Sequence, residues 1–153
     1  MADTADLAAR HPAVQRLCRD FAIPEVGSAD VDAFLEGGGD AVLFFTEDPK
    51  KYPESADVAV ILPELMQALH GRFRTAVVER ASERALQKRF GFARWPALVF
   101  LRDGDLVGAI TGMHDWNEFV QKAATLLDSP TRREVAAAEA RENNRAAGPQ
   151  ELT

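Results

Sequence analysis

Four carboxylates, Glu47, Asp48, Glu54 and Asp57, crowd one polar stretch, TEDPKKYPESAD, together with Tyr52. Carboxylates gathered in this way suit a cationic ligand, because guanidinium groups pair with them through charge-assisted, often bidentate, hydrogen bonds. Glu54 and Asp57 have a second explanation, since acidic groups are stabilised at a helix N-terminus whatever the function. Ser55 offers a hydroxyl in the same stretch. No base stands beside it in sequence, so capping a helix is a simpler role for it than nucleophilic attack. Cys18 is the one thiol and follows Leu17 on an apolar helical stripe, where it reads as a small buried hydrophobe. Disulfide exchange needs a resolving partner that the chain lacks. His11, His70 and His114 are scattered, without cysteine or carboxylate at ligand spacing, so no metal and no cofactor is expected.

Composition narrows the partners. The chain has 153 residues, 46% of them hydrophobic and 27% charged, as in a water-soluble globular domain. Residues 1–64 carry 5 basic and 13 acidic side chains, whereas residues 65–153 carry 13 basic and 11 acidic ones. An acidic half disfavours nucleic acid as the main partner and allows a cationic one. No apolar run approaches the ~20 residues of a membrane helix, and MADTADLAAR has no secretory core, so membrane insertion is not expected and the cytoplasm is.

The elements that must position these residues follow from periodicity. Leu7, Val14, Leu17, Cys18 and Phe21 fall on one stripe, giving a helix over 12–21 with Pro12 in its first turn. Ser28-Ala29-Asp30 caps a second helix that ends at Gly37-Gly38-Gly39. Ala41 to Phe45 is a continuous apolar run, expected of a strand covered on both faces. The polar stretch comes next, and then a helix from about Asp57 to Leu69, interrupted by Pro63. A strand over 73–79 and a short helix from Ser82 to Gly91 follow. Ala97 to Leu101 and Leu106 to Ile110 form a hairpin around Asp103-Gly104. Asp115 caps a last helix, with Trp116, Phe119, Val120, Ala123, Leu126 and Leu127 turned inward. Residues from Thr131 onward have few large apolar side chains and are expected to be flexible, with a transient helix through Ala140.

This order of elements resembles the thioredoxin fold over residues 28–128, preceded by a helical extension (1–27) and followed by a tail (129–153). The fold class expected is α/β, a central mixed sheet flanked by helices, with a cis Trp95-Pro96 step before the C-terminal hairpin. In the thioredoxin pattern the redox Cys-x-x-Cys begins eight residues ahead of the helix proline. Here that position holds Ser55-Ala56-Asp57-Val58. The segment GFARWPALVF from Gly91 to Phe100, followed by Gly104, Val107-Gly108, Gly112-Met113 and Asp115-Trp116, is similar to the HyaE/HupG/HoxO group of nickel–iron hydrogenase accessory proteins. The resemblance implies a non-catalytic chaperone that engages the hydrogenase small-subunit precursor and its twin-arginine signal peptide before export, with other hydrogenase accessory proteins as further partners. The peptide-binding residues expected are Glu47, Asp48, Tyr52, Glu54, Asp57, Trp95 and Pro96: an acidic rim over an aromatic floor, unless Trp95 serves core packing alone. The other reading is an enzyme of the same fold with a Ser55-based, glutathione-using site. A third is a structural subunit of a larger assembly.

Overall fold

The apolar run Ala41 to Phe45 lies in the middle strand of a five-stranded sheet. The computed structural model describes residues 9–151, and the side chains of 9–145. In chain order its elements are α1 (Pro12–Asp20), β1 (Glu25–Val26), α2 (Val31–Leu35), β2 (Asp40–Phe45), α3 (Glu54–Ala68), β3 (Arg74–Val78), a 3-10 turn (Arg80–Ser82), α4 (Glu83–Phe90), β4 (Ala97–Arg102), β5 (Asp105–Thr111), α5 (Trp116–Leu127) and α6 (Arg132–Glu151). The sheet runs β1-β3-β2-β4-β5. β1, β3 and β2 are parallel, while β4 is antiparallel to both β2 and β5.

Alternation along the strands divides the apolar residues between two cores. Val42 and Phe44 enter one core with Val77, Leu98 and Phe100, under Val14 and Leu17 of α1, Leu62 and Leu65 of α3, and Phe119 and Leu127 of α5. Leu43 and Phe45 enter the other with Val78, Val99 and Leu101, under Val31 and Leu35 of α2 and Leu86 and Phe90 of α4. Because both faces are covered, β2 has no polar alternation. Each of its large side chains contributes roughly 1.5–3 kcal/mol by burial. The β4–β5 turn places Asp103 and Gly104 at φ of 51° and 81°, the pair of left-handed conformations that a two-residue hairpin loop needs. Gly91, at φ 77°, ends α4 in the same conformation.

Several details differ from expectation. α3 starts at Glu54, three residues before Asp57, because Pro53 at φ −59° already has helical geometry. Ser55 is therefore inside the helix, and Pro53 stands at the cap. α1 and β1, in the segment read as an N-terminal extension, pack against the sheet: Val14 and Leu17 are core residues and β1 pairs with β3. Leu7 lies outside the described residues. Phe21 follows the last turn of α1 and is exposed, with the Arg16 guanidinium 4.9 Å from its ring centre. Trp116 is 41% exposed. It shares a helical stripe with Phe119 but lies a turn ahead of it, at the first position of α5. Beyond Ala140 the final helix continues to Glu151, and its described side chains from Arg132 onward are exposed. Its start is tied down where Asp105 Oδ2 accepts from the Arg133 amide at 2.9 Å. No helix among the described residues is long and apolar enough to cross a membrane.

Candidate functional site

The polar stretch leaves β2 at its C-terminal end, and its first residues are held by a buried polar cluster. Arg10 donates to Thr46 Oγ1 at 2.7 Å, to Glu25 Oε2 at 2.9 Å and to the Val78 carbonyl at 3.3 Å. From the other side, the Ser55 hydroxyl donates to the Thr46 carbonyl. Glu47 then adopts φ 49°, a left-handed conformation that costs a non-glycine residue on the order of 1 kcal/mol. Its amide is aimed at the carboxylate of Glu83, 3.0 Å from each oxygen. Glu83 is 1% exposed. Its Oε1 also accepts the Trp95 indole N–H at 3.1 Å, and Arg80 Nε stands 3.6 Å from its Oε2. Arg80 also reaches Glu47 Oε1 at 3.1 Å. Burial pushes the Glu83 carboxyl up to about 7, against the opposing pull of the Glu47 amide, Arg10, Trp95 and Arg80.

Glu83 thereby fixes two surface features at once, the backbone of Glu47 and the ring of Trp95. The Trp95 ring packs edge-on to Phe92 at 5.5 Å and lies 5.9 Å from Tyr52. Phe92 in turn meets Phe45 at 4.5 Å, so a chain of aromatic rings runs from the core to the surface. It ends in a groove of about 340 Å³ lined by Glu47, Lys51, Tyr52, Arg84, Gln87, Lys88 and Trp95.

The seven residues expected to form one rim and floor are distributed over four places. Tyr52, Trp95 and Glu47 come together in this groove, but the charged side chains beside them are mostly cationic. Pro96 is buried, follows a cis peptide bond, and its carbonyl accepts from Gly112 N–H at 2.8 Å, so it provides no open floor. Asp48 accepts from the Lys50 amide and lines a different cavity, of about 510 Å³, with Arg10, His11, Glu25 and Arg80. Glu54 and Asp57 lie on α3, both exposed. Glu54 Oε2 accepts from the Met113 amide at 2.8 Å, which joins the start of α3 to the loop before α5.

That junction forms a second surface. Met113 is 38% exposed, and Val60 on α3 is 50% exposed. Trp116 belongs to the same loop–helix corner as Met113. α3 carries Glu54, Asp57 and Glu64 and no basic residue. At the head of α5, Asp115 accepts from the Glu118 amide at 2.9 Å, and Glu118 stands 3.3 Å from His114. Exposed Met113 and Trp116 thus adjoin Glu54, Asp115 and Glu118, while Arg94 and Lys122 line a groove with His114 and Glu118 on the other side of the corner.

The positions where a Cys-x-x-Cys pair would stand are sealed as well as substituted. Ser55 and Val58 are both fully buried, and the Ser55 hydroxyl is engaged by a backbone carbonyl. A buried serine whose hydroxyl is held by a backbone carbonyl is poorly placed for nucleophilic attack, which counts against the Ser55-based reading. Cys18 is half-buried against the first core, and burial raises its thiol above the ordinary value, away from the reactive thiolate. Among the described residues no three His, Cys, Asp or Glu side chains are grouped as a metal site would need.

Glu83, Arg10 and Arg80 could not be chosen from the sequence. Glu83 looks like any acidic residue in a first helical turn, and nothing local signals that it is buried.

A family model described as hydrogenase-1 expression protein HyaE matches residues 13–119. The chain is 45% identical over 124 residues to hydrogenase expression/formation protein HoxO of Cupriavidus necator, covering 80% of this chain and 77% of that one. It is 43% identical over 118 residues to hydrogenase expression/formation protein HupG of Bradyrhizobium diazoefficiens, covering 74% and 80%. Among solved structures it is similar to the hydrogenase expression/formation protein hupG of Rhodopseudomonas palustris, with 38% identity and a TM-score of 0.50 over 69% of this chain and 95% of that one. Mitochondrial thioredoxin 3 of Saccharomyces cerevisiae superposes with a TM-score of 0.55 at 17% identity, over 71% and 96%. The fold is thioredoxin-like.

Proposed function

The chain belongs to the family of hydrogenase-1 expression protein HyaE and so to the machinery of hydrogenase maturation, and from that premise we propose that it is a non-catalytic, cytoplasmic chaperone for the small subunit of a nickel–iron hydrogenase. In this reading it binds the twin-arginine signal peptide of the small-subunit precursor before export. One observation supports it above the others: exposed Met113 and Trp116 adjoin Glu54, Asp115 and Glu118, and Val60, Asp57 and Glu64 are exposed on α3, which has no basic residue. Such a signal combines two guanidinium groups with an apolar stretch, and the two halves match the carboxylates and the apolar side chains respectively. The burial of Ser55 and Val58 agrees with a holder in place of a redox catalyst.

Calorimetric titration of the full-length chain with the precursor signal peptide tests this. Binding heat is expected, weakening with added salt because the pairs are solvent-exposed. A peptide with both arginines replaced by glutamine should bind less tightly. Asp57→Lys combined with Glu64→Lys should weaken the native peptide. Glu47, engaged by Arg80, is a poor target for the same test. Absence of heat from the native peptide would overturn the reading.

A further inference from the structure

The Tyr52–Trp95 groove carries the opposite charge from the surface just described. Lys51, Arg84 and Lys88 line it, and none of the three takes part in an ion pair among the described residues. Arg80 beside them is paired with Glu47 at 3.1 Å and stands 3.6 Å from Glu83. Glu47, the one carboxylate in the lining, is therefore occupied. Three uncompensated cations thus surround two aromatic rings on a chain whose net charge is −6.

The rings are held in place before any ligand arrives. The Trp95 indole N–H is turned toward buried Glu83, which leaves ring carbon for the groove. Tyr52 faces it at 5.9 Å. Rigid aromatic rings with arginine beside them are the residue types that anchor protein partners. The cavity, about 340 Å³, is at the small end for a ligand site and admits one large side chain with its flanking backbone.

We infer that this groove is a second docking site, for a short acidic segment of a protein partner that packs an aromatic or long aliphatic side chain against the exposed faces of Tyr52 and Trp95 and sets flanking carboxylates against Lys51, Arg84 and Lys88. The acidic charge of the chain as a whole disfavours an extended nucleic acid at the same place. Exposed pairs contribute little each, so the aromatic anchor supplies affinity and the cations supply selectivity and encounter rate.

The test uses the full-length chain carrying Trp116→Phe, which leaves Trp95 as the one tryptophan. Its emission is followed during titration with acetyl-Asp-Glu-Phe-Asp-Glu-amide and with the same peptide bearing lysine and arginine at the charged positions. The acidic peptide should give a saturable change that weakens with salt, and the basic peptide none. Arg84→Glu with Lys88→Glu should weaken acidic-peptide binding about tenfold or more. If that pair disturbs the circular dichroism spectrum, Arg84→Gln with Lys88→Gln should weaken it about threefold. No emission change, or an affinity indifferent to both pairs, overturns the proposal. So does equal binding by glutathione or an oligothymidylate, or a dimer of this chain that the substitutions dissociate. In the chain with native Trp116, signal-peptide binding should be unaffected by the Arg84 and Lys88 substitutions, so either reading can fail without the other.

Discussion

Two neighbouring surfaces of this molecule use the same kinds of side chain to opposite ends. The groove at Tyr52 and Trp95 is aromatic and cationic, and it rests on a buried carboxylate. The corner at Met113 and Trp116 is apolar and acidic, and it is joined to α3 by one exposed hydrogen bond from Met113 N–H to Glu54. The first is built on Glu83, which has its polar partners inside the protein; the second is built on carboxylates left in water. A carboxylate that accepts from two inward donors, the Glu47 amide and the Trp95 indole, acts as scaffold, while one that faces solvent remains available to a ligand. The stretch from Thr46 to Asp57 contributes to both surfaces, and the fold separates them by starting α3 at Glu54.

The largest expected effect comes from removing the scaffold on one side only. Glu83→Ala strands the Glu47 amide and the Trp95 indole N–H and should cost about 3 kcal/mol in urea unfolding. Amide exchange should accelerate around Glu47 and Trp95 much more than at Met113; uniform acceleration would show that the two surfaces are not independent.

The pH dependence of stability comes next. The Glu83 carboxyl rises from 4.5 to about 7 on folding, so the folded state holds its proton after the unfolded state has released it. Stability from this group is complete below about pH 4.5 and declines as pH rises to about 7, by roughly 3 kcal/mol. Glu83→Gln, which imitates the protonated form, should flatten that interval in urea midpoints taken at successive pH values. An unchanged slope would assign it to other groups.

Trp95→Ala should destabilise by about 2 kcal/mol, less than a fully enclosed tryptophan, because the ring is half-exposed. Trp116→Ala, at the other surface, should change stability by no more than about 0.5 kcal/mol while weakening the signal peptide. Thermal melts of the pair measure the contrast directly. Smallest of all, Asp57→Asn should leave stability within about 0.5 kcal/mol and reduce the salt dependence of signal-peptide binding. A large stability loss there would make Asp57 a structural residue of the first turn and no part of a recognition surface.

The sheet was legible because its signals are local. An apolar run such as Ala41 to Phe45 can be accommodated only between two covered faces, and the Asp103-Gly104 pair specifies its own turn. The candidate site was legible in its residue types and not in its grouping. Tyr52 and Trp95 meet, whereas Glu54 reaches the loop before α5 and Asp57 is exposed on α3. Trp116 kept the rotational phase of its helix but missed burial, since periodicity gives direction and not the extent of the layer beneath.

By itself, then, the sequence determined the order of elements, the two-sided core and the loss of both redox cysteines, all of which depend on residues near each other in the chain or on one residue's identity. The tertiary structure alone decided that Ser55 and Val58 are sealed, that Glu83 lies under Glu47 and Trp95, and that the charges around the loop sort into a cationic groove and an acidic corner. Those outcomes depend on how the first turn of α4 reaches Glu47 and how the loop before α5 reaches Glu54, a matter of packing between segments far apart in sequence, on which no local pattern reports.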